Sequence, residues 1–293
     1  LFTNHFHLRH SYSSSVRHET LDDQAEPFEI RRTDSRLYSC VFHIFRTVSF
    51  RFDFLFHLLE FLGGFMDRVV IIGSGAAGLS AAIRLAEENV PSFIVEEMPP
   101  WRAQSNMAEG GINAALDTMG QHDEPALHEE ETYKAGRFLA CREAVHRLTH
   151  SAPQIVNTLF AWGMSLNLNE DGTIQQRPFG GQTKKRTAFA SASTGKQLMY
   201  TLATRARFFE AGRMIRHITG FRFLKLMMEN GQAKGVLVNE LQKNRVSYIP
   251  ASAVIIASGG LNGLFGNATG SVLNTGNVTA SLFADGLPAA NME

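Results

Sequence analysis

Val69-Val70-Ile71-Ile72-Gly73-Ser74-Gly75-Ala76-Ala77-Gly78 decides the fold. Four branched apolar residues in a row predict a strand buried on both faces. A G-x-G-x-x-G turn follows, and then Leu79 to Glu88, a helix pattern with small residues on one side. Gly73 allows the tight turn. Gly75 lets backbone approach a pyrophosphate, and Gly78 lets the helix pack closely on the strand. Phosphates would sit at Ser74, Ala76 and Ala77, where the free N–H groups and dipole of the helix N-terminus favour negative charge. A second strand, Ser92-Phe93-Ile94-Val95, ends in Glu96-Glu97. Glu96 stands 23 residues after Gly73, where an acid binds the hydroxyls of an adenosine ribose.

Further along, Phe221 to Met228 and Ala233 to Asn239 flank the turn Glu229-Asn230-Gly231-Gln232, a hairpin signal. Val254-Ile255-Ile256-Ala257-Ser258-Gly259-Gly260 is another buried strand ending in glycines. The expected fold is α/β: a Rossmann-like parallel sheet of the FAD/NAD(P)-binding type, with helices and an added β-hairpin or meander.

The composition excludes several classes. The 293 residues carry a net charge of zero, so there is neither a nucleic-acid footprint nor a polybasic membrane patch. Cys40 and Cys141 lie far apart, without CxxC or His spacing, so no metal site or disulfide framework follows and a reduced, intracellular setting fits. Cys141 reads as a buried helix residue. No apolar run reaches the roughly 18–20 residues of a membrane span. The composition breaks at Met66. Residues 1–65 hold half of the 22 Phe but no Met and no Lys. That segment is expected to be poorly ordered, and we read it as an extension upstream of a start at Met66. Gly63-Gly64 can be encoded by a purine-rich, ribosome-binding run. Residues 66–293 are the nucleotide-binding domain.

Between the second strand and the hairpin, Asp123 to Gly136 reads as an amphipathic helix. Arg142 to Met164 reads as one or two more, Pro153 standing where a second would begin. His146 and His150 are four apart, like two ligands on a helix face, but there is no HExxH and no third ligand nearby in sequence. They, and His128, read as surface histidines. Lys184-Lys185-Arg186 reads as a solvated basic run that would attract a dianion. Thr194-Gly195-Lys196 opens a helix and lacks the first Gly of a phosphate-binding P-loop.

After Pro99-Pro100 comes Ala103-Gln104-Ser105-Asn106-Met107-Ala108-Glu109-Gly110-Gly111, small and hydroxylic residues around a Gly pair, as for backbone running against a flat ligand. With the glycine fingerprint, this stretch resembles the isoalloxazine-binding segment of the succinate dehydrogenase and fumarate reductase flavoprotein subunits, a superfamily that includes L-aspartate oxidase. Arg177-Pro178-Phe179-Gly180-Gly181 matches a motif of the fumarate/succinate branch, whose Phe packs against the bound dicarboxylate. The resemblance implies FAD bound by Gly73 to Gly78, Glu96, Glu97, Gln104, Ser105, Ala108, Glu109, Gly110 and Gly111. It implies substrate contacts from Glu109, Gly110 and Phe179. It also places the backbone near Phe223 at the adenine edge and returns the chain to the FAD at Ala257-Ser258-Gly259. Asn277 stands where the family has an Asp bonded to FAD hydroxyls.

One departure carries chemistry. Gln104 stands where respiratory members have the histidine linked to the flavin 8α-methyl, and an amide cannot form that bond. The resemblance therefore implies non-covalent FAD, with a bias toward fumarate reduction or an oxidase. The implied activity is the interconversion of fumarate and succinate, hydride passing through flavin N5. The implied partners are a dicarboxylate and an iron–sulfur subunit or other electron donor. The implied place is the cytoplasm, peripheral on the inner face of the membrane through a partner. In the family a capping domain that completes the substrate site begins near Glu293, so the catalytic residues are expected beyond it and these 293 residues alone to be inactive. The alternatives are an L-aspartate oxidase-like enzyme and a non-catalytic FAD-binding module.

Overall fold

The structure, a computed structural model, describes residues 68–290. The segment 1–65 and the start at Met66 lie outside the described residues. In chain order the elements are β1 (Val69–Ile72), α1 (Ala76–Glu87), β2 (Ser92–Glu96), β3 (Ile112–Asn113), α2 (Pro125–Ala135), α3 (Arg142–Ala161), β4 (Gln176–Arg177) and β5 (Thr187–Ala188). They continue with α4 (Thr194–Ala211), β6 (Ile215–Thr219), β7 (Phe221–Glu229), β8 (Gln232–Glu240), β9 (Arg245–Pro250), β10 (Ala253–Ile256) and α5 (Asn277–Ala284).

The expected parallel sheet is present, in the order β10-β1-β2-β6. Val69 pairs in register with Ala253 on one side and Ser92 on the other, so the C-terminal ends of three strands come level. Strand alternation sorts the side chains. Val69, Ile71 and Ile94 face Leu79, Ala82 and Ile83 of α1 and Met199, Leu202 and Ala206 of α4. Val70, Ile72, Phe93 and Val95 face Phe223, Leu226, Val236 and Val238 of the antiparallel β7-β8-β9 meander and Val278 and Leu282 of α5. Both faces are covered over β1 and β2, which is why these two strands are continuously apolar, whereas β10, expected to be buried, is an edge strand and part-exposed. Each of the larger side chains on these two faces contributes about 1.5–3 kcal/mol by leaving water. The hairpin turn falls on Asn230 and Gly231, at φ 52° and 76°, the left-handed pair of a two-residue turn.

A small antiparallel sheet, β3-β5-β4, joins the stretch at Ile112 to the distant pair of strands β4 and β5. Ile112 pairs with Ala188, which pairs with Gln176. It packs on Ala152 and Val156 of α3. This sheet carries the Gly110-Gly111 doublet to the loop around Phe179.

Several expectations are corrected. Cys141 is exposed, at the N-terminal cap of α3, because α2 and α3 are joined at the surface. Pro153 lies inside one continuous helix rather than starting a second; Ala152, Val156 and Leu159 anchor it on both sides. Leu148, Ile155 and Phe160 of the same helix are exposed. The helix expected over Asp123 to Gly136 forms as α2, but it buries only His128 and is not amphipathic. His128 is therefore not a surface residue.

The run at Lys184 is not solvated as a unit either. Lys184 Nζ donates to the Gln121 carbonyl at 2.7 Å. The Arg186 side chain is wholly buried and pairs with Asp123 and Glu131, each at 2.9 Å. Burial raises the Asp123 carboxyl against the pull of Arg186. Burial, helped by the Arg186 charge, pushes the nearby His128 down from 6.5 to about 4.

Two outcomes follow from this packing. A Cβ on Gly78 would lie 2.0 Å from the Gly73 carbonyl oxygen, so Gly78→Ala should lower unfolding stability by about 1–3 kcal/mol or more in denaturant titration. The unfolded chain takes up the His128 proton near 6.5, whereas the folded chain resists it to about 4. Stability should therefore fall as pH drops through that window. His128→Gln should flatten this acid limb in pH-dependent unfolding, and an unchanged limb would contradict it.

Candidate functional site

A cleft of about 430 Å³ opens where β1, β2 and β10 end. Its floor is the glycine turn. Gly73 adopts φ 104°, and a Cβ there would stand 2.4 Å from the Ala257 carbonyl oxygen, so only glycine lets β1 and β10 end this close. The N-terminus of α1 faces the cleft with no side-chain cap among its own residues. The Ala76 amide instead donates to Ser105 Oγ at 3.2 Å. Helix N-termini supply N–H groups and a partial positive charge suited to phosphate.

Glu96, the last residue of β2, is the buried one among the charged residues that line this cleft. Its carboxylate is almost wholly buried. Thr219 Oγ1 donates to Oε1 at 2.6 Å, and His217 Nδ1 lies 3.2 Å from the same oxygen. The second oxygen, Oε2, is buried and has no partner among the described residues. A buried carboxylate oxygen left unpaired costs stability, and hydroxyl donors from a ligand would satisfy it. Glycine walls, a helix N-terminus facing the cleft and one unpaired carboxylate oxygen together fit the ribose and pyrophosphate of a dinucleotide.

Of the residues singled out from the sequence, the cleft brings together Gly73, Ser74, Gly75, Ala76, Ala77, Glu96, Glu97, Gln104, Ser105, Phe223, Ala257, Ser258, Gly259 and Asn277. Not all of their polar groups are free. Glu97 is held by a two-pronged pair with Arg222, at 3.0 and 2.9 Å. Asn277 Oδ1 accepts from Thr275 Oγ1 at 3.0 Å, and its Nδ2 donates to the Phe223 carbonyl at 3.3 Å. Gln104 Oε1 accepts from the Ser271 amide, tying this stretch to the loop before α5. Gly78 lies behind the turn, buried in α1.

Ala108, Glu109, Gly110, Gly111 and Phe179 do not line the cleft. They form a second group at the other end of the 3-10 turn Gln104–Met107. The Gly195 amide of α4 donates to the Ala108 carbonyl at 2.6 Å, and a Cβ on Gly195 would lie 2.2 Å from the Ser105 oxygen. The Thr-Gly opening of α4 thus seats this turn. The Phe179 ring covers Gly110, with Cζ 3.1 Å from the place of a Cβ.

Arg177 organises this second group, and reading its motif alone gave it no role. Its guanidinium donates to the carbonyls of Glu109 at 3.2 Å and Gly110 at 2.5 Å while stacking over the Phe189 ring at 4.5 Å. In a planar trans peptide the carbonyl and the following N–H point in opposite directions. Holding both carbonyls on one side therefore turns the Gly110 and Gly111 amides toward the other. Neither amide has a partner among the described residues. Two such N–H groups can receive an anion or a developing negative charge. The signal available in the sequence was an Arg placed immediately before the Phe loop.

Comparisons with known proteins give the family and the fold. The family model described as an FAD binding domain matches residues 68–293. The chain is 33% identical over 226 residues to the succinate dehydrogenase flavoprotein subunit of Bacillus subtilis, covering 77% of this chain and 39% of that protein. It is 34% identical over 227 residues to a fumarate reductase flavoprotein subunit of Mycobacterium tuberculosis, covering 77% of this chain and 38% of that one. A solved structure of E. coli quinol fumarate reductase superposes with a TM-score of 0.72 at 27% identity, covering 76% of this chain and 37% of that chain. The chain thus spans about two fifths of the length of the curated relatives it matches.

Glu96→Gln keeps the size of the side chain and removes its charge. It should weaken FAD binding roughly tenfold or more in a fluorescence titration, whereas an unchanged affinity would remove Glu96 from the site.

Proposed function

This chain belongs to the FAD binding domain family, and on that premise we propose that the protein carrying it is an FAD-dependent oxidoreductase that interconverts fumarate and succinate. The observation that carries the dinucleotide half of the reading is the unpaired, buried Oε2 of Glu96 inside the glycine-walled cleft. The Phe179 loop over Gly110 supports the dicarboxylate half, together with the similarity to succinate dehydrogenase and fumarate reductase flavoproteins.

In this reading Glu96 accepts hydrogen bonds from the adenosine ribose, and the start of α1 receives the pyrophosphate, with Ser105 Oγ and the Ala76 amide at that point. Phe223 borders the adenine. Ala257 to Gly259 and Asn277 close the opposite wall. FAD, when bound, supplies the hydride acceptor and donor that no side chain can provide. The Gly110 and Gly111 amides, aimed by Arg177, hold a substrate carboxylate or charge on the ring system. Phe179 shields that place from water and packs against the substrate carbon chain. Gln104 has no nucleophilic nitrogen, and its amide oxygen is engaged by Ser271, so the cofactor is held without a covalent bond.

The electron partner is an iron–sulfur subunit or another donor, and the assembly sits at the inner face of the membrane through that partner. Among the described residues no helix is long and apolar enough to cross a membrane.

Two measurements test the reading. Acid precipitation of FAD-loaded protein should leave all the yellow colour in the supernatant; flavin retained on the polypeptide contradicts the role given to Gln104. The protein that carries this chain should reduce fumarate with a reduced viologen dye and leave L-aspartate unoxidised; oxidation of L-aspartate instead would favour the oxidase reading.

A further inference from the structure

Away from the cleft, α2 and α3 bring together three side chains that the flavin site does not use. His146 and His150 share one face of α3, and Glu129 of α2 meets them. His146 Nδ1 lies 2.7 Å from Glu129 Oε2, and His150 Nδ1 lies 3.8 Å from the same oxygen. The two imidazoles stack at 3.9 Å between centroids, tilted by 32°. One ligand atom from each of the three residues falls within 4.8 Å of the others. The third ligand missing from the local sequence thus comes from the neighbouring helix.

The distances suit a small divalent cation. Ligands about 2.0–2.1 Å from a tetrahedral zinc stand about 3.3–3.4 Å apart, between the 2.7 and 3.8 Å found here. The three ligand atoms lie within 4.8 Å of one another, and His150 Nδ1, which also lies 3.0 Å from the His146 carbonyl oxygen, gives up that contact as its ring turns to the metal. Arg142 Nε engages the other carboxylate oxygen, Glu129 Oε1, at 3.5 Å, which leaves Oε2 facing the histidines. Arg142 is the positive group on this face, and its guanidinium also lies near the Tyr133 ring, 5.7 Å from the centroid. The next cation along α3, Arg147, is paired with Glu143 at 2.6 Å. Both histidines are partly open to solvent, so water can fill the fourth position.

We propose that Glu129, His146 and His150 form a divalent transition-metal site that clips α2 to α3. Two imidazoles and one carboxylate select zinc, copper or nickel over magnesium and calcium, which take oxygen ligands. The clip has a structural purpose. Helix α2 buries only the His128 side chain, so little apolar surface holds it in place. Two residues beyond Glu129, Glu131 pairs with Arg186 and accepts from the Thr183 amide at 3.2 Å. Metal bound at Glu129 therefore also steadies the anchor of the Phe179 loop. Binding that favours the folded state raises its stability.

The test is a calorimetric titration of the tag-free full chain with Zn²⁺ alone, alongside His146→Ala, His150→Ala and Glu129→Gln. His5, His7 and His10 near the N-terminus offer a background common to all four proteins, so the readout is the difference between them. Circular dichroism establishes that each variant is folded. The wild-type chain should bind one more equivalent of zinc than either histidine variant, and Glu129→Gln should weaken that equivalent roughly tenfold or more. Zinc should raise the wild-type Tm and leave the histidine variants less affected. The same stoichiometry, or the same Tm response, in wild type and variants would overturn the proposal.

Discussion

The architecture rests on one steric constraint, the contact of β1, α1 and β10 at two glycines. A methyl at Gly78 would stand 2.0 Å from the Gly73 oxygen, and one at Gly73 2.4 Å from the Ala257 oxygen. Because neither position carries a side chain, the helix start and two strand ends converge on one point. That convergence makes the cleft, directs the α1 dipole into it, and leaves Glu96 at its edge with a carboxylate oxygen unpaired. The two packed faces of the sheet hold this arrangement fixed. Such a cleft at the carboxyl ends of parallel strands is where α/β sheets bind nucleotides.

A second constraint builds the other end of the site. In the β3-β5-β4 sheet, β3 pairs with β5 more than seventy positions away, β5 pairs with nearby β4, and Arg177 is thereby placed under the Glu109-Gly110 backbone. The Thr-Gly opening of α4 seats the same stretch from below. Rigid backbone with two outward amides is thus obtained from an arginine, a glycine pair and a helix start, and preorganised donors of this kind cost no reorganisation when charge develops. The 3-10 turn Gln104–Met107 links the two ends, and the residue that departs from the covalent-flavin pattern, Gln104, stands at its start, on the cleft side.

The legible parts of the sequence were those governed by local chemistry. Val69 to Gly78 announces strand, turn and helix within ten residues, Asn230-Gly231 announces its hairpin, and Glu96 is placed by its distance from the glycines. The parts that escaped depend on partners far away in the chain. Arg186 looks like one of three solvated cations until Asp123 and Glu131 close around it, and the same network buries His128. Pro153 looks like a boundary because local preference opposes it inside a helix, yet the buried residues on both sides keep α3 continuous. Arg177 reads as part of a loop motif, and its function appears only when the small sheet carries Glu109 and Gly110 to it. Glu129 joins His146 and His150 only through the packing of two helices.

The central claim is that the cleft beneath Glu96 takes the adenosine and pyrophosphate half of FAD, leaving the ring system to the Gly110-Gly111 side. Competition against FAD tests it most directly, with ADP and FMN as the two competitors, followed by flavin fluorescence. The account predicts that ADP displaces FAD and that FMN, at the same concentration, does so much less. Displacement by FMN with no effect of ADP would contradict it.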